Sequence, residues 1–142
     1  MPRIQLELPE KILFTTEISV RASDLNYGNH VGHDTILTLM QEARIRFYRT
    51  LGFQNELNLD GSIGQVIADA AVQYKSESFL GDRLIIQVSV SDVNKYGFDM
   101  LYLVINKATR NEVARGKTGI VCFDYNTRKV ARLPEILRQK LQ

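Results

Sequence analysis

The chain has a single cysteine, Cys122, in 142 residues, so no internal disulfide can form. That poverty suits a reducing compartment, and cytoplasmic residence is the expectation. Tryptophan is absent and proline occurs three times, which excludes proline-rich and extended low-complexity designs. The formal net charge is only +2, too little for composition to recommend a nucleic-acid partner. Apolar runs last a few residues, far short of the ~20 that span a bilayer. Residues 1–10 alternate polar and apolar types, which is not a basic-then-apolar leader. No internal repeat is visible. What is present is ordinary for a globular chain: 44% hydrophobic and 24% charged residues, enough to bury a core. The expectation is one domain over residues 1–142, with no membrane and no nucleic acid among its partners.

Residues 15–20 read as a short strand leading into a polar, glycine-bearing segment over 22–33. A helix is predicted over 35–51, where Ile36, Leu39, Met40, Ala43, Phe47 and Leu51 recur on one face. Leu37 and Tyr48 widen that stripe, and Thr38, Gln41, Glu42, Arg46 and Arg49 occupy the opposite side. Asp34 is placed to cap the start, and Gly52 to follow the end. After a loop through Asn55, Asn58, Asp60 and Gly61 the period changes to two. Strands are predicted over 65–75, 83–93, 98–107 and 112–124, as in Ile86, Val88 and Val90 alternating with Gln87, Ser89 and Ser91. Short turns over 80–82, 94–97 and 108–111 favour antiparallel neighbours, and residues 134–141 suit a short closing helix. The layout is α+β, one long central helix wrapped by an antiparallel meander of about five strands. Such a layout alone does not name a function.

The segment Ser23-Asp24-Leu25-Asn26-Tyr27-Gly28-Asn29-His30-Val31-Gly32-His33-Asp34 lies between the first strand and the helix. It resembles the Asp-x-Asp-x-x-Gly-His-Val-Asn-Asn signature of the 4-hydroxybenzoyl-CoA thioesterase family of hot-dog proteins, and the related signature of acyl-ACP thioesterases. Asp24, His30 and Val31 match its first aspartate, its histidine and its valine. Glu42-Ala43-Arg44 is similar to the Glu-x-Ala-Arg often found on the following helix, and Tyr74-Lys75 and Gly81-Asp82 sit at the family's strand end and Gly-Asp turn. The likeness runs over about 14–124. Three positions depart: the second aspartate, catalytic in several members, is Asn26; the glycine before the histidine is Asn29; the two asparagines are Gly32 and His33. The resemblance implies a hot-dog fold and hydrolysis of acyl thioesters of coenzyme A or acyl carrier protein. No cofactor and no metal are expected, and the resemblance further implies a homodimer or homotetramer with active sites at the subunit interface. With Asn26 in place of aspartate, the carboxylate must come from elsewhere.

Thioester hydrolysis needs an activated water and donors for the oxyanion. The loop delivers Gly32 and His33 to a helix N-terminus, whose free amides and positive dipole end suit an oxyanion or a bound carbonyl. Asp34 lies beside those amides, and Glu42, two turns on, falls on the same polar side by the helical wheel. Either acid can activate water, Asn26 can hold water or the carbonyl through its amide, and His30 can act as a base near neutral pH. Each has a plainer reading: Asp34 as a cap, Glu42 as the partner of Arg46, the histidines and Asp24 as loop organisers. The spacing of His30, His33 and Asp34 matches no strong zinc signature. Cys122 sits in a strand pattern, where a buried, inert thiol is expected. The basic cluster of Arg128, Lys129, Arg132, Arg138 and Lys140 reads as a solvated face, and Lys75, Lys95, Arg110 and Arg115 are candidates for phosphate binding. Two other functions fit the same residues, a non-catalytic acyl-thioester binding protein and a hot-dog hydratase or dehydratase. The direction in which Glu42 points discriminates: toward a pocket for an enzyme, toward solvent for binding alone.

Overall fold

The computed structural model describes residues 3–142; Met1 and Pro2, the first positions of the alternating opening segment, lie outside the described residues. Strand β1 (Phe14–Ser19) is followed by a 3-10 turn (Ala22–Asp24) and the long helix α1 (His33–Thr50). Strands β2 (Ile63–Tyr74), β3 (Arg83–Ser91), β4 (Gly97–Asn106), β5 (Glu112–Asp124) and the short β6 (Lys129–Val130) come next, and α2 (Glu135–Lys140) closes the chain. The sheet is antiparallel, in the order β1-β3-β4-β5-β2, with β6 paired to β5. One long helix lies on one face of this sheet, the α+β hot-dog layout expected from the sequence.

Alternation builds the face that receives the helix. Leu84, Ile86 and Val88 of β3, Met100, Tyr102 and Val104 of β4, and Ala114, Ile120 and Cys122 of β5 are all buried. From α1, Ile36, Leu39, Met40, Ala43, Phe47 and Tyr48 pack onto them. The helix approaches closely at Gly116, where the sulfur of Met40 occupies the space a β-carbon would fill. Phe47 stacks on Phe14 of β1 with ring centroids 5.7 Å apart; truncating a buried aromatic of this kind costs about 3–5 kcal/mol. The outer face is crossed by the segment before β1. There the Arg115 guanidinium donates to the Leu6 carbonyl at 3.0 Å, and Leu8 and Ile12 lie over Leu101 and Leu103.

Three details differ from the sequence reading. The strands are not a simple meander: β2 pairs with β5, and its chain successor β3 lies at the other side of the sheet between β1 and β4. Residues 75–82 therefore cross between the two halves, and the Ser78 carbonyl accepts from the Val31 amide at 2.9 Å on the way. Secondly, the helix starts two residues early. Gly32 is its N-cap and Asp34 its second helical residue, so Asp34 is not the cap. An acid in the first turn still meets the positive end of the dipole. Thirdly, Leu37 is exposed rather than part of the buried stripe. Gly52, with φ +96°, follows the helix end as expected.

Candidate active site

Residues 24–32 form a tight loop. Asp24 is buried, its carboxylate taking the Arg21 amide at 2.8 Å and the Arg21 guanidinium at 3.2 Å, while its carbonyl accepts from Gly32 at 3.4 Å. It organises the loop. Asn26 closes the next turn: its amide donates to the His30 carbonyl at 2.9 Å, and its side-chain oxygen accepts from Gly28 at 2.8 Å. Asn29 sits at φ 61°, a left-handed conformation that asparagine adopts more readily than most residues. That explains how it stands where the signature has glycine.

The turn aims His30. Its Nδ1 lies 3.1 Å from the Val31 carbonyl oxygen. A carbonyl only accepts, so Nδ1 carries the proton and Nε2 of the neutral ring is left with a lone pair. Nε2 is 4.0 Å from Glu77, at the outer limit of an ion pair, and would meet a β-carbon on Gly28 at 3.1 Å. Glycine at position 28 thus makes room for the ring.

A pocket of about 320 Å³ opens beside this histidine, at the low end of the ~300–1,000 Å³ typical of small-ligand sites. His30, His33, Tyr74, Lys75 and Glu77 furnish its polar lining; Val31, Ile36 and Val113 its apolar part; Ser78 lines it too. Its helical wall is the first turn of α1. Among the described residues the amides of His33, Asp34 and Thr35 meet no backbone acceptor; of these three residues His33 lines the pocket, beside the positive end of the helix dipole. The Tyr74 hydroxyl donates to the His33 carbonyl at 2.7 Å and fixes that turn to the end of β2. Burial pushes the Tyr74 phenol above its ordinary value, and the negative charge of Asp34 adds to the shift.

The sequence-predicted acids do not converge here. Asp34 is exposed and lines neither this pocket nor the next; its carboxylate lies over Gly32, 2.7 Å from where a β-carbon would stand. Glu42 faces a separate groove of about 330 Å³ between β1 and α1. There it accepts from Arg46 at 2.7 Å with its side chain half exposed. Asp34 and Glu42, both exposed on α1, therefore line no common pocket. Of the cations expected near phosphates, Lys75 lines the pocket. Arg115 is held by Glu112 at 2.7 Å and Lys95 lies over the Tyr96 ring. Arg128 stacks on Phe123 and Tyr125, and Lys140 donates to the Leu51 carbonyl. Cys122 is buried, and burial pushes its thiol up to about 11.

Tyr74, Glu77 and Ser78 carried no chemical signal in the sequence. Tyr74 was visible only as a strand end, and the crossover of residues 75–82 brings the other two to the loop.

Comparison with known proteins bears on the family and the fold. The profile of the thioesterase-like superfamily matches residues 20–141. A Synechocystis sp. protein, sll0410, provisionally named an esterase, is 24% identical over 140 residues, covering 96% of this chain and 83% of its own. Among solved structures, the Synechocystis 1,4-dihydroxy-2-naphthoyl-CoA thioesterase Slr0204 superposes with a TM-score of 0.82 at 22% identity, over 90% of this chain and 94% of that one. The gentisyl-coenzyme A thioesterase BH1999 gives 0.80 at 22% identity, over 91% and 100%. At such identities the structural likeness establishes the fold. No helix among the described residues is long and apolar enough to cross a membrane.

Proposed function

The chain belongs to the thioesterase-like superfamily, and from that premise we propose that it hydrolyses acyl thioesters of coenzyme A in the pocket beside His30. The thioester carbonyl oxygen accepts from the free amide of His33 beyond the Gly32 cap, where the dipole of α1 stabilises the oxyanion. Nε2 of His30 takes a proton from water as the water oxygen bonds to the carbonyl carbon. Collapse of the tetrahedral intermediate breaks the carbon–sulfur bond, and the proton goes to the departing sulfur. The Val31 carbonyl holds the imidazole in the required tautomer, and Glu77 stabilises its charged form. Asn26 acts through the loop, by shaping the turn that carries His30. Lys75 stands where it can meet a phosphate of the carrier.

The observation that carries this reading is the His30 Nδ1 contact of 3.1 Å to the Val31 carbonyl, which in the neutral ring leaves the lone pair to Nε2, on a residue that lines the pocket. The carrier is proposed as coenzyme A because the two solved relatives bear coenzyme A thioesters in their names; acyl carrier protein is the alternative. A second reading gives the proton to Asp34, whose charge reaches the Tyr74 hydroxyl at the pocket. We also infer a homodimer paired through β2. Among the described strands this edge strand pairs with β5 alone; its start also bonds to the loop at Glu56, Leu59 and Asp60, and beyond that Ile67, Ala68 and Ala70 are exposed, an edge that invites another strand. A homotetramer would add a second contact to the same pair.

Thiol release from a panel of acyl-CoAs tests the reaction. His30→Gln should lower kcat by about 10²–10⁴-fold, the usual worth of a general base, while Glu42→Ala stays within about twofold of wild type. If Asp34→Asn is the variant that fails and His30→Gln is not, the base is Asp34. Absence of thiol release from every acyl-CoA, with the wild-type protein folded, refutes coenzyme A thioester hydrolysis.

A further inference from the structure

The first turn of α1 is loosely tied by its own backbone. The Gly32 amide reaches the Asp24 carbonyl at 3.4 Å, and the bond from the Ile36 amide to the Gly32 carbonyl spans 3.2 Å. Both sit at or beyond the long end for a backbone hydrogen bond. The Tyr74 hydroxyl makes a shorter one, donating to the His33 carbonyl at 2.7 Å from 41 residues away in sequence. Its own backbone is firmly mounted. Tyr74 pairs with Ala114 at the end of β2, and the next two amides, Lys75 and Ser76, donate to the Val113 carbonyl at 2.9 and 3.2 Å. One hydroxyl thus joins the sheet to the turn that carries the His33 amide. Tyr74 is 50% exposed and stands outside the hydrophobic core, so the core does not call for this hydroxyl.

We propose, resting on the hydrolase reading above, that Tyr74 is a positioning residue for hydrolysis, holding His33 so that its amide meets the developing oxyanion. The amide and the carbonyl of one residue share an α-carbon, so fixing the carbonyl limits how far the amide can swing. A donor to an oxyanion works because it is already in place, and a misplacement of about 1 Å costs about a hundredfold in rate. Charge on the thioester oxygen grows as water attacks. The loss therefore falls on kcat rather than on KM. The phenol proton lies on the bond to His33, so Tyr74 is not itself a donor to the substrate. Burial pushes the phenol above its ordinary value, which keeps it protonated, and a donor, through the neutral range.

The experiment compares wild type with Tyr74→Phe, which deletes the donor and keeps the ring. Thiol release from acetyl-CoA, butyryl-CoA and benzoyl-CoA gives kcat and KM across the neutral pH range, and melting temperature is measured on both proteins without substrate. Tyr74→Phe should lower kcat by roughly ten- to a hundredfold, less than the roughly 10²–10³-fold lost when an oxyanion donor is removed outright. KM should stay within about twofold. The acid limb of kcat should keep its wild-type midpoint, because the His30 base is untouched. The melting temperature should fall by at most a few degrees, the worth of one half-exposed hydrogen bond. A kcat within about threefold of wild type, or a raised KM at unchanged kcat, overturns the proposal and leaves hydrolysis standing. A shifted acid limb overturns it too, since Tyr74 would then act through His30. So does a kcat loss that merely tracks the fraction of protein unfolded at the assay temperature. Thiol release by wild type from none of the three substrates fails the hydrolase reading and this proposal with it.

Discussion

The buried cation Arg44 makes the sharpest test of how α1 is held. Its side chain is 6% exposed, and its Nε donates to Glu56 at 2.6 Å from the loop after the helix. Its Nη1 donates to the Tyr102 hydroxyl at 3.2 Å, leaving the tyrosine proton for Thr118 at 2.9 Å. The partners are unequal, because the Glu56 side chain is 24% exposed. Glu56→Gln strands a guanidinium where water scarcely reaches. Removing one partner of a buried pair costs about 3–5 kcal/mol, and the partial opening at Glu56 favours about 3. Arg44→Met instead leaves a carboxylate that turns to water, keeps Tyr102 paired with Thr118 and retains an apolar filling. That change should cost about 1 kcal/mol. At about 4 °C per kcal/mol for a chain of this length, the melting temperatures should fall by about 12 °C and about 4 °C respectively. Calorimetry at one fixed protein concentration measures both, with urea unfolding as a check. If Arg44→Met is as destabilising as Glu56→Gln, the guanidinium is not the group whose burial needs compensation, and the reasoning is refuted.

Two further predictions concern single groups. Burial lifts the Cys122 thiol to about 11, so iodoacetamide at pH 8 should leave the folded protein unlabelled and modify it fully in urea. Rapid labelling of the native state would contradict the buried position. The Ser62 hydroxyl at 2.9 Å, aided by the Asn126 and Thr127 amides, holds the Asp124 carboxyl below its usual 3.8. A carboxyl lowered in the folded state stabilises above its unfolded value and loses that contribution as pH falls through the folded one. Asp124→Asn should therefore flatten the fall in melting temperature below pH 3.8 relative to wild type; parallel curves would deny the linkage.

The elements were legible in the sequence because each is written locally. The stripe from Ile36 to Phe47 repeats at the helical period, and the alternation over 83–91 repeats at two; burial on α1 and β3 follows both patterns. The resemblance around Asp24, His30 and Val31 led to the fold and to the family, and the loop it named does carry His30 to a pocket. What the local code could not determine was partnership over distance. A helical wheel places Asp34 and Glu42 on one side, but the 2.7 Å bond to Arg46 and the groove beside β1 take Glu42 elsewhere. Arg44 appears in the sequence only as part of a family-like motif; its burial depends on Glu56 and Tyr102, which arrive from remote segments. Tyr74, Glu77 and Ser78 look like the end of one strand and a connection. They become pocket residues because β2 pairs with β5 rather than β3, which sends residues 75–82 across to the His30 loop. Periodicity is a property of neighbours in the chain, so the sequence alone determined the helix, the strands and the family. Strand order and the burial of individual polar groups depend on contacts between distant segments, and only the tertiary structure decided those.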